Sequence, residues 1–165
     1  MTGPGSRRVW VVVAVLAGIH LLLRVGFSYG PGAPDLLTLA LLLASREVGL
    51  GRAAGLGLLF GLLEDALSVL SFGANAVAMT VIACASALTK DLFVGDSRVF
   101  LVSYLLIGKW SRDVIHWVAV GWVEAGAGLR QPFVDQVVIQ GGIASVYMAG
   151  VGILVAIASG FGAEA

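Results

Sequence analysis

The chain has 165 residues, 59% of them hydrophobic and 12% charged, with ten basic and ten acidic side chains and zero net charge. That is too little polar surface to cover a water-soluble globule, whereas lipid solvates an apolar exterior directly. The absence of a basic tract excludes an electrostatic route to nucleic acid, and a lone cysteine, Cys84, excludes an intrachain disulfide. The composition therefore predicts an all-α integral membrane protein. At about 20 apolar residues per span there is room for five or six helices and no separate soluble domain, so residues 1–165 read as a single transmembrane domain.

In chain order, the first span is expected from Val9 to about Ser28, behind Arg7 and Arg8. Its apolar stretch is long for a signal peptide and lacks a small-x-small cleavage site, so it reads as a retained helix. Two prolines and two glycines in Gly30-Pro31-Gly32-Ala33-Pro34 enforce a turn. Asp35 then opens a second helix, favoured there by the helix dipole, which runs to about Val48. At about 20 Å this helix is shorter than the roughly 30 Å hydrocarbon core, so it must be tucked among neighbours or cross a thinned region. A third helix is expected over Gly51 to Leu70, a fourth over Asn75 to Phe93, a fifth over Val99 to Val123 and a sixth over Phe133 to Ser159. With the N-terminus inside, Arg7, Arg8, Arg46, Arg52, Lys90 and Arg98 fall on the inner side and only Arg130 on the outer. This positive-inside bias predicts a six-span bundle in a cytoplasmic membrane with both termini cytoplasmic.

Small residues recur at four-residue spacing: Ala53, Gly57 and Gly61 on the third helix beside Gly51 and Gly55, Ala76, Thr80 and Cys84 on the fourth, and Gly141, Ser145 and Ala149 on the sixth. Each set lies on one stripe where a neighbouring backbone can approach closely, either inside the bundle or on a partner's helix.

Ionisable residues inside apolar sequence are costly and need partners or a water-lined cavity. The third helix carries Glu64 and Asp65, the first His20 and Arg24, and the fifth Lys109, Arg112, Asp113 and His116 on one face. If helices one, three and five start from the same side, His20, Glu64 and Arg112 lie at matched depth, near mid-membrane. Arg24, Lys109 and Arg112 then balance Glu64, Asp65 and Asp113, which predicts pairing across the three helices, Asp65 with Arg112 in particular. The same eight residues read either as an internal network fixing helix register or as a polar pocket. No metalloprotease motif, nucleophile elbow or phosphate loop accompanies them, so no enzymatic activity, metal or cofactor is expected.

Three segments carry a resemblance. Ala33-Pro34-Asp35-Leu36-Leu37, the glycine-bearing helix ending Gly61-Leu62-Leu63-Glu64-Asp65-Ala66-Leu67, and the turn Ser71-Phe72-Gly73-Ala74-Asn75-Ala76 occur in this order. Their order and spacing resemble the MreD family of bacterial rod-shape-determining membrane proteins, with Pro34, Asp35, Gly61, Asp65, Gly73 and Asn75 as the motif positions. Glu64 stands where the family usually has an apolar residue, and the polar stripe of the fifth helix is richer than the family pattern. The resemblance implies a non-enzymatic component of the cell-elongation machinery in the bacterial inner membrane, surrounded by lipid. It would bind the transmembrane helix of an MreC-like protein and regulate peptidoglycan synthesis alongside a RodA-type glycosyltransferase, a class B penicillin-binding protein and the MreB filament. It also implies a six-helix fold similar to the substrate-binding S components of energy-coupling-factor transporters, so a vitamin-binding subunit is the alternative function. The alanine stripe tied to docking in those proteins has only a loose counterpart in Ala14 and Gly18.

Overall fold

The computed structural model describes residues 4–26, 35–68, 72–90, 98–123 and 133–159, and every regular element among them is helical. Helix α1 (Pro4–Leu21) continues as a π-helical stretch, Leu22–Gly26; α2 (Leu36–Glu47), α3 (Leu50–Ala66), α4 (Ala74–Thr89) and α5 (Arg98–Val123) follow. A second π-helical stretch, Val134–Gln140, leads into α6 (Gly141–Ser159). The expected helix ends at Ser28, Leu70 and Phe93, the turn at 30–34 with Pro34, and Arg130 lie outside the described residues.

Local chemistry explains where the helices begin. Pro4 occupies the first position of α1, where a missing N–H breaks no helical bond. Asp35 caps α2 through both carboxylate oxygens, accepting from the Thr38 amide at 3.0 Å and from the Thr38 hydroxyl at 2.7 Å. Before α4, Gly73 has φ 98°, a left-handed conformation that costs little only without a Cβ.

The short second helix is tucked among its neighbours. Nine of its twelve residues are buried, and it touches α1, α3, α4, α5 and α6. The largest apolar side chains wholly withdrawn from the surface fall in two clusters, Leu37 and Leu41 with Met79, and Leu39 and Leu42 with Leu105 and Met148. Helices α3 and α4 approach most closely, because Gly57 and Gly61 present bare backbone. A methyl group on Gly57 would sit 2.6 Å from the Met79 carbonyl oxygen, and one on Gly61 would sit 2.3 Å from Ala76 Cα. Ala53 is buried on the same stripe, against a cluster that includes Ala83 and Ala87 of α4. The stripe Ala53, Gly57 and Gly61 thus faces α4 inside the bundle and is not left open for a partner. Nothing lies within 4 Å of a methyl group built on Gly51 or Gly55.

Large aliphatic side chains lie on the surface although several charged ones are buried. Val11, Val15 and Ile19 on α1, Leu58, Leu59 and Leu62 on α3, and Ile143, Val146 and Leu154 on α6 are exposed, while Glu64, Asp65 and Lys109 are buried. Among the described residues two helices are long and apolar enough to cross a membrane, over Arg7–Val25 and Val134–Val155. Helix α5 is longer, at 26 residues, but carries the polar stripe; α3 and α4 have 17 and 16 residues, or about 25 Å.

Candidate functional site

The ionisable residues singled out within the spans, with Asp35, gather toward one end of the bundle, where α1 and α3 finish and α2 and α4 begin. Two subclusters meet there. In the first, Glu64 in the last turn of α3 receives the Arg24 guanidinium on Oε1 at 2.7 Å, and His20 Nε2 lies 3.0 Å from its Oε2. The α1 chain reaches Glu64 through its π-helical continuation, which holds Arg24. Wider turns of this kind recur at functional positions.

In the second subcluster, Lys109 Nζ donates to Asp113 at 2.6 and 2.7 Å and lies 3.3 Å from Asp35 Oδ2. Arg112 Nη1 donates to Asp113 Oδ1 at 3.1 Å and stands 4.0 Å from Asp35, while Nη2 donates to the side-chain oxygen of Asn75. Two cations and two carboxylates therefore neutralise one another between α2 and α5. Such pairing is required of charges removed from water, and deleting one member alone leaves an uncompensated charge.

Asp65 behaves differently from the expected partner of Arg112. Its carboxylate accepts from the amides of Gly73 at 2.9 Å, Asn75 at 3.1 Å and Ala76 at 3.0 Å, and from the Asn75 side-chain amide at 3.0 Å. It is a cap for α4 supplied from the end of α3, and the donors at that helix start, with the helix dipole, compensate its charge. No direct Asp65–Arg112 bond forms among the described residues; Asn75 stands between them, donating to one and accepting from the other. Arg112, the partner expected of Asp65, turns instead to Asp113 and Asp35, the latter read from sequence as a helix-dipole residue and a family-motif position.

The expected depth also changes. His20 and Glu64 sit near the ends of their helices rather than at mid-span, whereas Arg112 lies near the middle of α5. Asp113 Oδ2 is 3.3 Å from the methyl position of Gly141, so the layer meets the sixth helix after its π-helical entrance. The remainder of α5 and that entrance rise past the layer by about 10 to 15 Å, joined by an edge-to-face contact of Trp117 and Phe133 with ring centres 5.0 Å apart. His116 lies on the polar stripe one turn beyond Arg112, half-buried and without a hydrogen bond among the described residues.

A polar group at the other end of the bundle escaped the sequence reading. Tyr104 of α5 donates to the Leu42 carbonyl at 2.8 Å and is hydrogen-bonded to Ser86 of α4, with the Arg46 guanidinium 5.4 Å from its ring centre. An isolated serine and tyrosine in apolar helices carry no spacing signal, because their partners are a backbone carbonyl and a third helix.

Among the described residues the arrangement is an all-helical bundle in which Glu64, Lys109, Arg112, Asp113 and Asp35 form ion pairs at one end and Asp65 caps α4 beside them. No group of three or more metal-ligating side chains occurs among the described residues. No protein-family model, curated protein or solved structure matches the chain.

Proposed function

We propose that this chain is a six-span scaffold of the MreD type in a bacterial cytoplasmic membrane, with both termini inside. In this reading it holds the transmembrane helix of an MreC-like single-span partner and thereby regulates peptidoglycan synthesis during elongation. The observation that carries the reading is the convergence of the motif residues. Gly61 lets α3 lie on the start of α4, Asp65 clasps the amides of Gly73, Asn75 and Ala76, and Asn75 joins that clasp to the α5 stripe, which Asp35 meets from α2. Positions scattered over forty residues of sequence perform one joint task. The membrane assignment draws on the exposed aliphatic side chains and buried charges, an arrangement that lipid tolerates and water penalises.

The role is non-enzymatic on this reading, since the carboxylates are committed to cations or, for Asp65, to the start of α4, and it requires no cofactor. With Gly57 and Gly61 occupied by α4, the partner helix docks on an outward face. Affinity purification from native membranes tests the proposal. Recovery of a single-span coiled-coil protein, with the glycosyltransferase and penicillin-binding protein in the wider complex, is the expected result. Recovery of paired ATPases with a bound vitamin would replace it by the S-component alternative.

Topology makes a separate prediction. In a Cys84→Ala background, cysteines at Thr2 and Gly162 are expected to resist an impermeant thiol reagent in intact cells, whereas cysteines at Ser71 and Gly126 label. Labelling at Gly162 would require an odd number of spans.

A further inference from the structure

Glu64 and Asp65 are neighbours in sequence but serve opposite sides of α3. Asp65 holds the start of α4, and Gly57 and Gly61 bring the two helices into backbone contact, so α3 and α4 form one rigid pair. Glu64 turns the other way, to α1, where it takes the Arg24 guanidinium at 2.7 Å and stands 3.0 Å from His20 Nε2. Among the described residues, the hydrogen bonds and ion pairs from α1 and its π-helical continuation to another helix all end on this one carboxylate.

The rest of the α1 seat is apolar. Helix α1 lies close to α2 and approaches no other helix to a like degree. Val9, Val13 and Leu16 are buried in a cluster that includes Leu36, Leu39 and Ala40 of α2. In water that burial would hold the helix; in lipid, acyl chains replace the same contacts, and only packing and polar bonds keep helices together. The glycine of α1 adds no close packing, since nothing lies within 4 Å of a methyl group built on Gly18. Val11, Val15, Leu22 and Val25 are exposed, so no described helix stands behind α1.

We propose that Glu64 is a catch that closes the seam between α1 and α3, and that α1 is the movable wall of the bundle. When the carboxylate lets go of Arg24 and His20, this end of α1 swings sideways into the lipid while α3 stays fixed to α4. The swing opens a lateral entrance to the face of α2 that α1 covers. The inference rests on the membrane part of the reading above and is independent of the partner helix.

Spin-label distances in lipid vesicles test it. In a Cys84→Ala background, Leu22→Cys and Leu62→Cys place labels on the exposed sides of α1 and α3, and Leu62→Cys with Val77→Cys gives a control pair across α3 and α4. With Glu64 intact, the first pair is expected to show one narrow distance. Glu64→Gln should raise the separated population roughly tenfold or more, the effect of weakening a hydrogen bond between charged groups, and leave the control pair unchanged. Arg24→Gln keeps the His20 contact and should give a smaller rise; if Glu64→Gln fails to fold, Arg24→Gln carries the test. An unchanged first pair in the folded variants would show that α2 packing alone seats α1 and would overturn the proposal. Equal broadening of the control pair would overturn it as well, by making Glu64 a support of the whole bundle. Failure of the chain to enter the bilayer would sink the membrane reading and this argument with it.

Discussion

Replacing Asp65 by alanine is expected to destabilise the bundle by about 3 to 5 kcal/mol, the largest loss from any single polar deletion. The carboxylate is wholly buried and accepts four hydrogen bonds, three of them from backbone amides at the start of α4. Loss of a cap costs about 0.5 to 2 kcal/mol, and each buried amide left without an acceptor adds roughly 1 to 3 kcal/mol unless the turn relaxes. The local turn has no substitute, because Gly73 at φ 98° offers no capping side chain. Asp65→Asn should fall between wild type and alanine, since one side-chain oxygen remains but an NH2 group then faces amide donors. Unfolding in mixed micelles followed by circular dichroism ranks the three proteins. A loss from Asp65→Ala equal to that from an exposed carboxylate such as Asp135 would show that the clasp contributes little.

A single methyl group at Gly61 is expected to have an effect of similar size by a different route. The added carbon would stand 2.3 Å from Ala76 Cα and 2.6 Å from the Asn75 carbonyl oxygen, atoms of the α4 backbone with no rotamer to yield. Relief requires α3 and α4 to separate, which draws Asp65 away from the amides it caps. Overpacking alone costs about 1 to 3 kcal/mol, and the strained clasp adds to it. Gly55→Ala is the control, because its methyl group meets nothing within 4 Å. The control should be neutral or stabilising by up to about 1 kcal/mol, as alanine is the better helix former. Yield of folded protein and thermal midpoint for the two variants check the contrast. Equal behaviour would mean that α3 and α4 are not in close contact.

The buried charges show where sequence reasoning reaches its limit. Stripe membership follows from a 3.6-residue period, so Lys109, Arg112, Asp113 and His116 were legible as one face of a helix. Partner choice was not. Matching charges by count and estimated depth paired Asp65 with Arg112, but depth assumes straight helices entering at a common level. Here α3 ends at Ala66, just past its carboxylates, while α5 continues well beyond its stripe. The displacement puts Asp65 against the start of α4 and leaves Lys109 and Arg112 beside Asp35 at the start of α2. Asn75 was legible as the residue joining a turn to the fourth helix and Asp35 as a helix-dipole residue, and they lie in the first turn of α4 and at the cap of α2; that they also face α5 is a property of helix packing with no local signature.

Composition and periodicity by themselves determined that the described residues are helical, that six helices lie close to the expected positions among them, and that the ionisable residues of the spans fall on a few faces. These follow from local terms: apolar runs of helical length, prolines and glycines that end them, and the fixed angular step of the α-helix. Only the tertiary structure decided that the short α2 is central, that the glycine stripe of α3 serves α4, and that Asp65 is a cap rather than an ion-pair partner. The physical reason is that close approach and hydrogen-bond pairing depend on the relative height and rotation of helices. Those are set by the sum of many side-chain contacts between distant segments, and no window of sequence contains that sum.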